Sequence, residues 1–134
     1  MIYLLDVNAL IAALVTTHEH HHRVSSWLAT LSNHDTLATC SITELSFVRV
    51  LVQAPQYRVP ISSSLKTLQR LRKCSTLKVI QFPDQNSATE LPTWVKGGRQ
   101  ITDGHLLKLA ISHNATLATL DEGIPNAFLI PPPC

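Results

Sequence analysis

Residues 1–14, MIYLLDVNALIAAL, carry the reading that decides the fold. Five apolar residues run from the start of the chain to Asp6, and Leu10, Ile11 and Leu14 then recur at helical spacing. A short apolar run of this kind reads as a strand buried on both faces, which has no cheap place for a carboxylate. Asp6 therefore marks the end of a strand, where the chain meets solvent or a site, and a helix follows directly.

The same alternation recurs along the chain. EHHHRVSSWLATL at 19–31 sets Val24, Trp27, Leu28 and Leu31 on one side of an amphipathic helix, and TLATC at 36–40 is a second strand. Ser41 and Glu44 form an S-x-x-E capping pattern that opens a helix through SITELSFVRVLV. Pro55 and Pro60 bracket a loop, 62–74 carries Leu65, Leu68 and Leu71 at helical spacing among basic residues, and LKVIQF at 77–82 is a third strand. Residues 83–100 show no period, only Pro83, Pro92, Gly97 and Gly98 around at most a short helix through SATEL. A helix over 102–114, a strand over 115–121 and a last strand in AFLI at 127–130 complete the series. Strands alternating with helices predict an α/β fold with right-handed crossovers: three α/β/α layers about a central, mostly parallel sheet of four to five strands.

The 134 residues suit a single domain over 1–130 with a flexible tail at 131–134, long enough to bury roughly two thirds of the surface of its unfolded chain. Hydrophobic residues at 45% against 15% charged describe a folded globule rather than a disordered segment. No apolar run approaches the ~20 residues that span a bilayer, and no charged and apolar leader is visible, so a cytoplasmic protein with no membrane partner is expected. Cys40, Cys74 and Cys134 are odd in number and lack C-x-x-C spacing, which suggests neither a disulfide framework nor a zinc site; Cys40 reads as a core residue. A net charge of +2 is compatible with a nucleic-acid partner without requiring one.

In a parallel sheet, ligands bind beyond the carboxyl ends of the strands. Asp6 ends the first strand, Glu44 lies in the first turn after the second, Asp103 starts a helix and Asp121 ends the strand that follows it. A helix from 103 to 112 descends about 15 Å and a six-residue strand climbs back about 20 Å, returning Asp121 to the height of Asp103. Four carboxylates at one edge would repel, each close pair by something like 4 kcal/mol at an effective dielectric of 20. Cations or protonation would relieve that, and an all-oxygen set suits Mg²⁺ or Mn²⁺, ions used in phosphodiester hydrolysis. Asn8 is placed to hydrogen-bond a carboxylate or a metal-bound water. Taken singly, Glu44 is equally the capping partner of Ser41, Asp103 a helix-start acid, and Asp6 and Asp121 turn residues.

The ordered set LLDVNALIAAL, HEHHHRVSSWL, ATCSITELSFVRVL, GGRQITDGHLLKLA and ATLATLDEGI resembles the PIN-domain ribonucleases, and more closely the VapC-type toxins of prokaryotic toxin–antitoxin pairs. The resemblance implies that Asp6, Glu44, Asp103 and Asp121 are the catalytic, metal-binding acids, with Asn8, Thr43, Thr102 and Thr119 as the polar residues beside them. It likens Arg49 to a basic residue of the helix carrying Glu44, able to pair with a carboxylate or an antitoxin acid. It further implies Mg²⁺- or Mn²⁺-dependent endoribonuclease activity on RNA, a homodimer, and silencing by a VapB-like antitoxin. Gly104 stands where many relatives carry alanine, which weakens the helix start. LDEGI lacks the aromatic residue that often follows the last acid, and Glu122 reads as a solvated neighbour rather than an added ligand.

HEHHH at 18–22 lacks a third convergent ligand and reads as a solvated loop and helix start. His105 and Arg99 lie near Asp103 as candidate RNA or antitoxin contacts, while Lys66, Arg70, Arg72 and Lys73 read equally as a solvated helix face or a phosphate-steering one. His113 reads as a helix end. With few aromatics and Trp27 assigned to the core, no base-stacking platform is visible. Two alternatives stand beside the nuclease: DVNAL as the start of a haloacid-dehalogenase-like phosphatase with Asp6 as nucleophile, and a catalytically silent PIN-like scaffold.

Overall fold

The computed structural model describes residues 1–74 and 76–133; Cys134, in the expected tail, lies outside them. Strand β1 (Ile2–Leu5) runs straight into α1 (Val7–Leu14), followed by α2 (His21–Ala29), β2 (Thr36–Cys40), α3 (Ser41–Gln53) and α4 (Ile61–Cys74). Strand β3 (Lys78–Phe82), α5 (Ile101–Ser112), β4 (Thr116–Thr119) and β5 (Phe128–Leu129) complete the chain. The strands form one sheet in the order β3-β2-β1-β4-β5, with every neighbouring pair parallel. Stretch 83–100 holds two 3₁₀ turns, Ala88–Glu90 and Gly98–Gln100.

The period-two alternation of the strands divides the apolar residues between two cores. Tyr3, Leu5, Leu37 and Ala118 face a layer built from α1 to α4, where Leu10, Trp27, Phe47 and Leu68 are buried. Leu4, Ala38, Cys40 and Leu117 face the other way, onto Leu106, Leu107 and Ala110 of α5. Each interior strand thus spends both faces, which is why its residues read as continuous apolar runs. Trp27 packs edge-on against Tyr3 with ring centroids 5.0 Å apart. Among the described residues no helix is long and apolar enough to cross a membrane.

Local chemistry sets the element ends that matter for the site. α3 is capped from Cys40 rather than Ser41, because β2 passes into the helix without a loop and the Cys40 N–H donates to Thr43 Oγ1 at 3.0 Å. Glu44 is thereby released from the capping role that S-x-x-E suggests. α5 stops where Asn114 takes a left-handed φ of 54°, which returns the Ala115 N–H to the Ala110 carbonyl at 2.8 Å and turns the chain into β4.

Gly104 is required by packing. A Cβ there would run into Val95 Cγ2 and sit 3.4 Å from Pro92 Cδ. Gly104→Ala gains about 1 kcal/mol of helix propensity but overpacks a tight contact, a cost of about 1–3 kcal/mol. The expected result is a lower thermal midpoint; a higher one would show that Val95 moves aside freely.

Candidate active site

The chain runs outward from β1 through β2 to β3 on one side and then returns through α5 to place β4 on the other side of β1, so the crevice of this sheet opens between β1 and β4 at their carboxyl ends. Asp6 stands at its floor. It caps α1, with Oδ1 accepting the Ala9 N–H at 2.8 Å and Oδ2 accepting the Thr119 hydroxyl at 2.5 Å. The residue is only 4% exposed. Burial, with the charges of Asp103 and Asp121 added, outweighs those two hydrogen bonds and raises its pKa from the ordinary 3.8 to about 6. Both oxygens are held, which suits a fixed carboxylate better than a nucleophile that must attack phosphorus.

Asp103 lies in the first turn of α5, and its pKa is also raised, first by burial and then by the charge of Asp121. Asp121 follows β4 by two residues; its N–H donates to Thr119 Oγ1 at 2.9 Å and its Oδ1 accepts the Gly123 N–H at 2.7 Å. The fully buried Thr119 hydroxyl therefore links Asp6 to the backbone of Asp121. Three aspartates from three different segments feel one another's charge at one edge.

Glu44 is held differently. Its Oε2 accepts the buried Thr39 hydroxyl at 2.5 Å and forms an ion pair with Arg72 of α4, whose Nη2 also reaches Gln81 Oε1 at 3.2 Å. The guanidinium offsets the repulsion that a fourth acid at this edge would add. Among the described residues no group of three or more acidic, histidine or cysteine side chains is gathered tightly enough to hold a metal ion. The donor chemistry nevertheless fits a hard divalent cation: every candidate donor is a carboxylate oxygen, and Asp6 and Asp103 carry raised pKa values that an adjacent cation would relieve.

The remaining sequence candidates scatter. Asn8 is exposed and borders a cleft of about 330 Å³ shared with Asp121, His18, Glu19 and His20, so part of HEHHH faces the crevice. His18 Nδ1 accepts the His20 N–H at 3.0 Å, and burial lowers its pKa. Thr43 spends its hydroxyl on Cys40, and Thr102 is exposed beside Asp103. Arg49 lies on the exposed side of α3 near Ile61 and Leu65, so the arginine that meets Glu44 is Arg72 instead. Arg99 is exposed in the turn before α5. His105 Nε2 meets Asp84 Oδ2 at 2.5 Å, while Asp84 Oδ1 accepts the Asn86 N–H at 3.0 Å. Burial alone would raise the Asp84 pKa, but these bonds and the nearby His105 and His113 hold it below the ordinary value. His113 stacks on Phe82 at 4.2 Å beyond the end of α5. Thr39 and Asp84 escaped the sequence reading, and Arg72, read there as part of a solvated or phosphate-steering helix face, pairs with Glu44 instead.

The sequence profile of the PIN domain matches residues 3–127. The chain belongs to the PIN-domain family. This PIN domain is 36% identical to "Ribonuclease VapC29" of Mycobacterium tuberculosis over 98% of each chain. It is also 36% identical to "Ribonuclease VapC38" of the same organism, over 90% of this chain and 86% of that one. Among solved structures it resembles VapBC2 from Rickettsia felis bound to a promoter DNA fragment, with a TM-score of 0.63, 25% identity and coverage of 96% and 97%. It shares its fold with Mycobacterium tuberculosis VapC20, a sarcin–ricin-loop-cleaving toxin, at a TM-score of 0.66 and 11% identity over 98% and 99% of the chains.

Proposed function

We propose that this PIN domain is a Mg²⁺- or Mn²⁺-dependent endoribonuclease, the toxin of a type II toxin–antitoxin pair. The observation that carries the reading is the charge-coupled trio Asp6, Asp103 and Asp121 in the crevice of a chain that matches ribonuclease-named relatives almost end to end. These three would hold the ion, and Glu44 would join them on release from Arg72. When bound, such an ion lowers the pKa of a water and offsets charge growing on the phosphoryl oxygens. Thr119 keeps the Asp6 carboxylate and the Asp121 backbone in one frame, and the Asp6 cap ties that frame to α1. Asn8 and His20 border the cleft beside Asp121 and would meet the RNA backbone there.

An antitoxin of the VapB type is the proposed partner, supported by the likeness to the VapBC2 structure. Its proposed seat is the exposed apolar face of α3 and α4, where Leu45, Ile61 and Leu65 border a groove of about 420 Å³. A homodimer acting in the cytoplasm, built of one nuclease domain over residues 1–130, completes the reading.

The deciding experiment incubates total cellular RNA with the purified protein in Mg²⁺, Mn²⁺ or EDTA, beside Asp103→Asn. Discrete fragments are expected that require the metal and fall to background in the variant. Intact RNA under every condition would overturn the proposal in favour of a silent scaffold.

A further inference from the structure

A second cleft, of about 510 Å³, opens beside the carboxylates between the start of α3, the loop after β3 and the first turn of α5. It adjoins the proposed catalytic site through the chain itself: Thr102 on its wall precedes Asp103, and Ser41 precedes Glu44 by three residues. Its volume lies within the range of small-ligand sites. Ile42, Leu91 and Ile101 supply apolar walls, and Ile101 remains 48% exposed although it is a large aliphatic residue.

The polar groups here are organised. Asp84 uses both oxygens, one on the Asn86 N–H and one on His105 Nε2, so the imidazole is held at the rim while its Nδ1 takes no part in that bond. Asn86 also lines the cleft, and its Nδ2 is shut away from solvent with no hydrogen-bond partner among the described residues. Such an amide is satisfied when the partly exposed Asn86 side chain turns it toward an acceptor in the cleft.

We propose that this cleft receives one unstacked base of the single-stranded RNA substrate and sets which nucleotide lies next to the scissile bond. The inference rests on the ribonuclease reading. A base offers flat faces that pack on aliphatic walls and an imidazole ring, and a polar edge that an asparagine amide reads. Phosphate is the poorer occupant, since the Asp84 carboxylate lies in the cleft and, among the described residues, no lysine or arginine lines it.

Two measurements test this on the full chain. In the first, the Asn86 side-chain amide and His105 resonances are followed by NMR as each nucleoside 5′-monophosphate, or inorganic phosphate, is added without metal. At least one nucleotide is expected to shift both, phosphate is not, and Asn86→Ala should abolish the His105 shift. No shift with any nucleotide, or an equal shift with phosphate, would overturn the proposal. In the second, cleavage sites in a randomised RNA are mapped for wild type, Asn86→Ala and His105→Ala. Among the cuts each variant still makes, preference at one nucleotide position fixed relative to the cut is expected to fall about tenfold or more. Unchanged preference in both variants would overturn it. Should the wild type cut no RNA, the ribonuclease reading falls, while the NMR titration still judges base binding by itself.

Discussion

Asp6→Asn is expected to lower RNA cleavage by at least ~10³-fold and yet to stabilise the metal-free protein at neutral pH. The two effects share one cause. Asp6 is buried beside Asp103 and Asp121, and its pKa is raised from 3.8 to about 6. A carboxyl group whose folded pKa is raised binds more protons in the native than in the unfolded state between those values, so stability falls as pH rises from about 4 to about 6. Above that window the full penalty is present, on the order of 3 kcal/mol for a displacement of this size. Asparagine is as good a helix N-cap, keeps the oxygen that accepts the Ala9 N–H, and carries no charge. It forfeits about 0.3–1 kcal/mol of interaction with the helix dipole, and its Nδ2 cannot accept the Thr119 hydroxyl, a further loss of about 0.5–1.5 kcal/mol. The expected net gain at pH 7.5 in EDTA is therefore about 0.5–2 kcal/mol, read as a higher midpoint in chemical denaturation. The gain should vanish near pH 4, and added Mg²⁺ should stabilise the wild type alone. A variant less stable than wild type at pH 7.5 would refute this account of Asp6.

Phe47→Ala is expected to cost about 3–5 kcal/mol, a large share of the 5–15 kcal/mol by which domains of this kind are stable. Phe47 is fully buried in α3, one turn beyond Glu44, within the core that also contains Trp27, Leu51 and Leu68. Truncating it opens a cavity under the helix that presents Glu44. Leu45, two residues earlier and 64% exposed, is the control: Leu45→Ala should change stability by less than about 0.5 kcal/mol. Urea titration of both variants checks the contrast, and equal losses would mean that α3 does not pack as described.

The alternation of apolar runs and helical spacing made the elements legible, because period two and period 3.6 are written residue by residue. The first strand, ending before Asp6, the helix after it and the parallel sheet follow from that pattern alone. Residues 83–100 resisted reading because their 3₁₀ turns and loops have no period, and Asp84, with its bond to His105, lay unseen there. Cys40 rather than Ser41 capped α3 because β2 leads into the helix without a turn, a continuity that S-x-x-E does not reveal.

By itself the sequence determined that acids stand at the carboxyl ends of strands and the starts of helices, since each position follows from where an apolar run stops. Only the tertiary structure decided which of them share a field. Asp6, Asp103 and Asp121 are coupled because β1 and β4 are adjacent, whereas Glu44 meets Arg72, 28 residues away, because α4 packs against α3. Charge interactions depend on distance through space, and helix packing across such a separation leaves no local periodic trace.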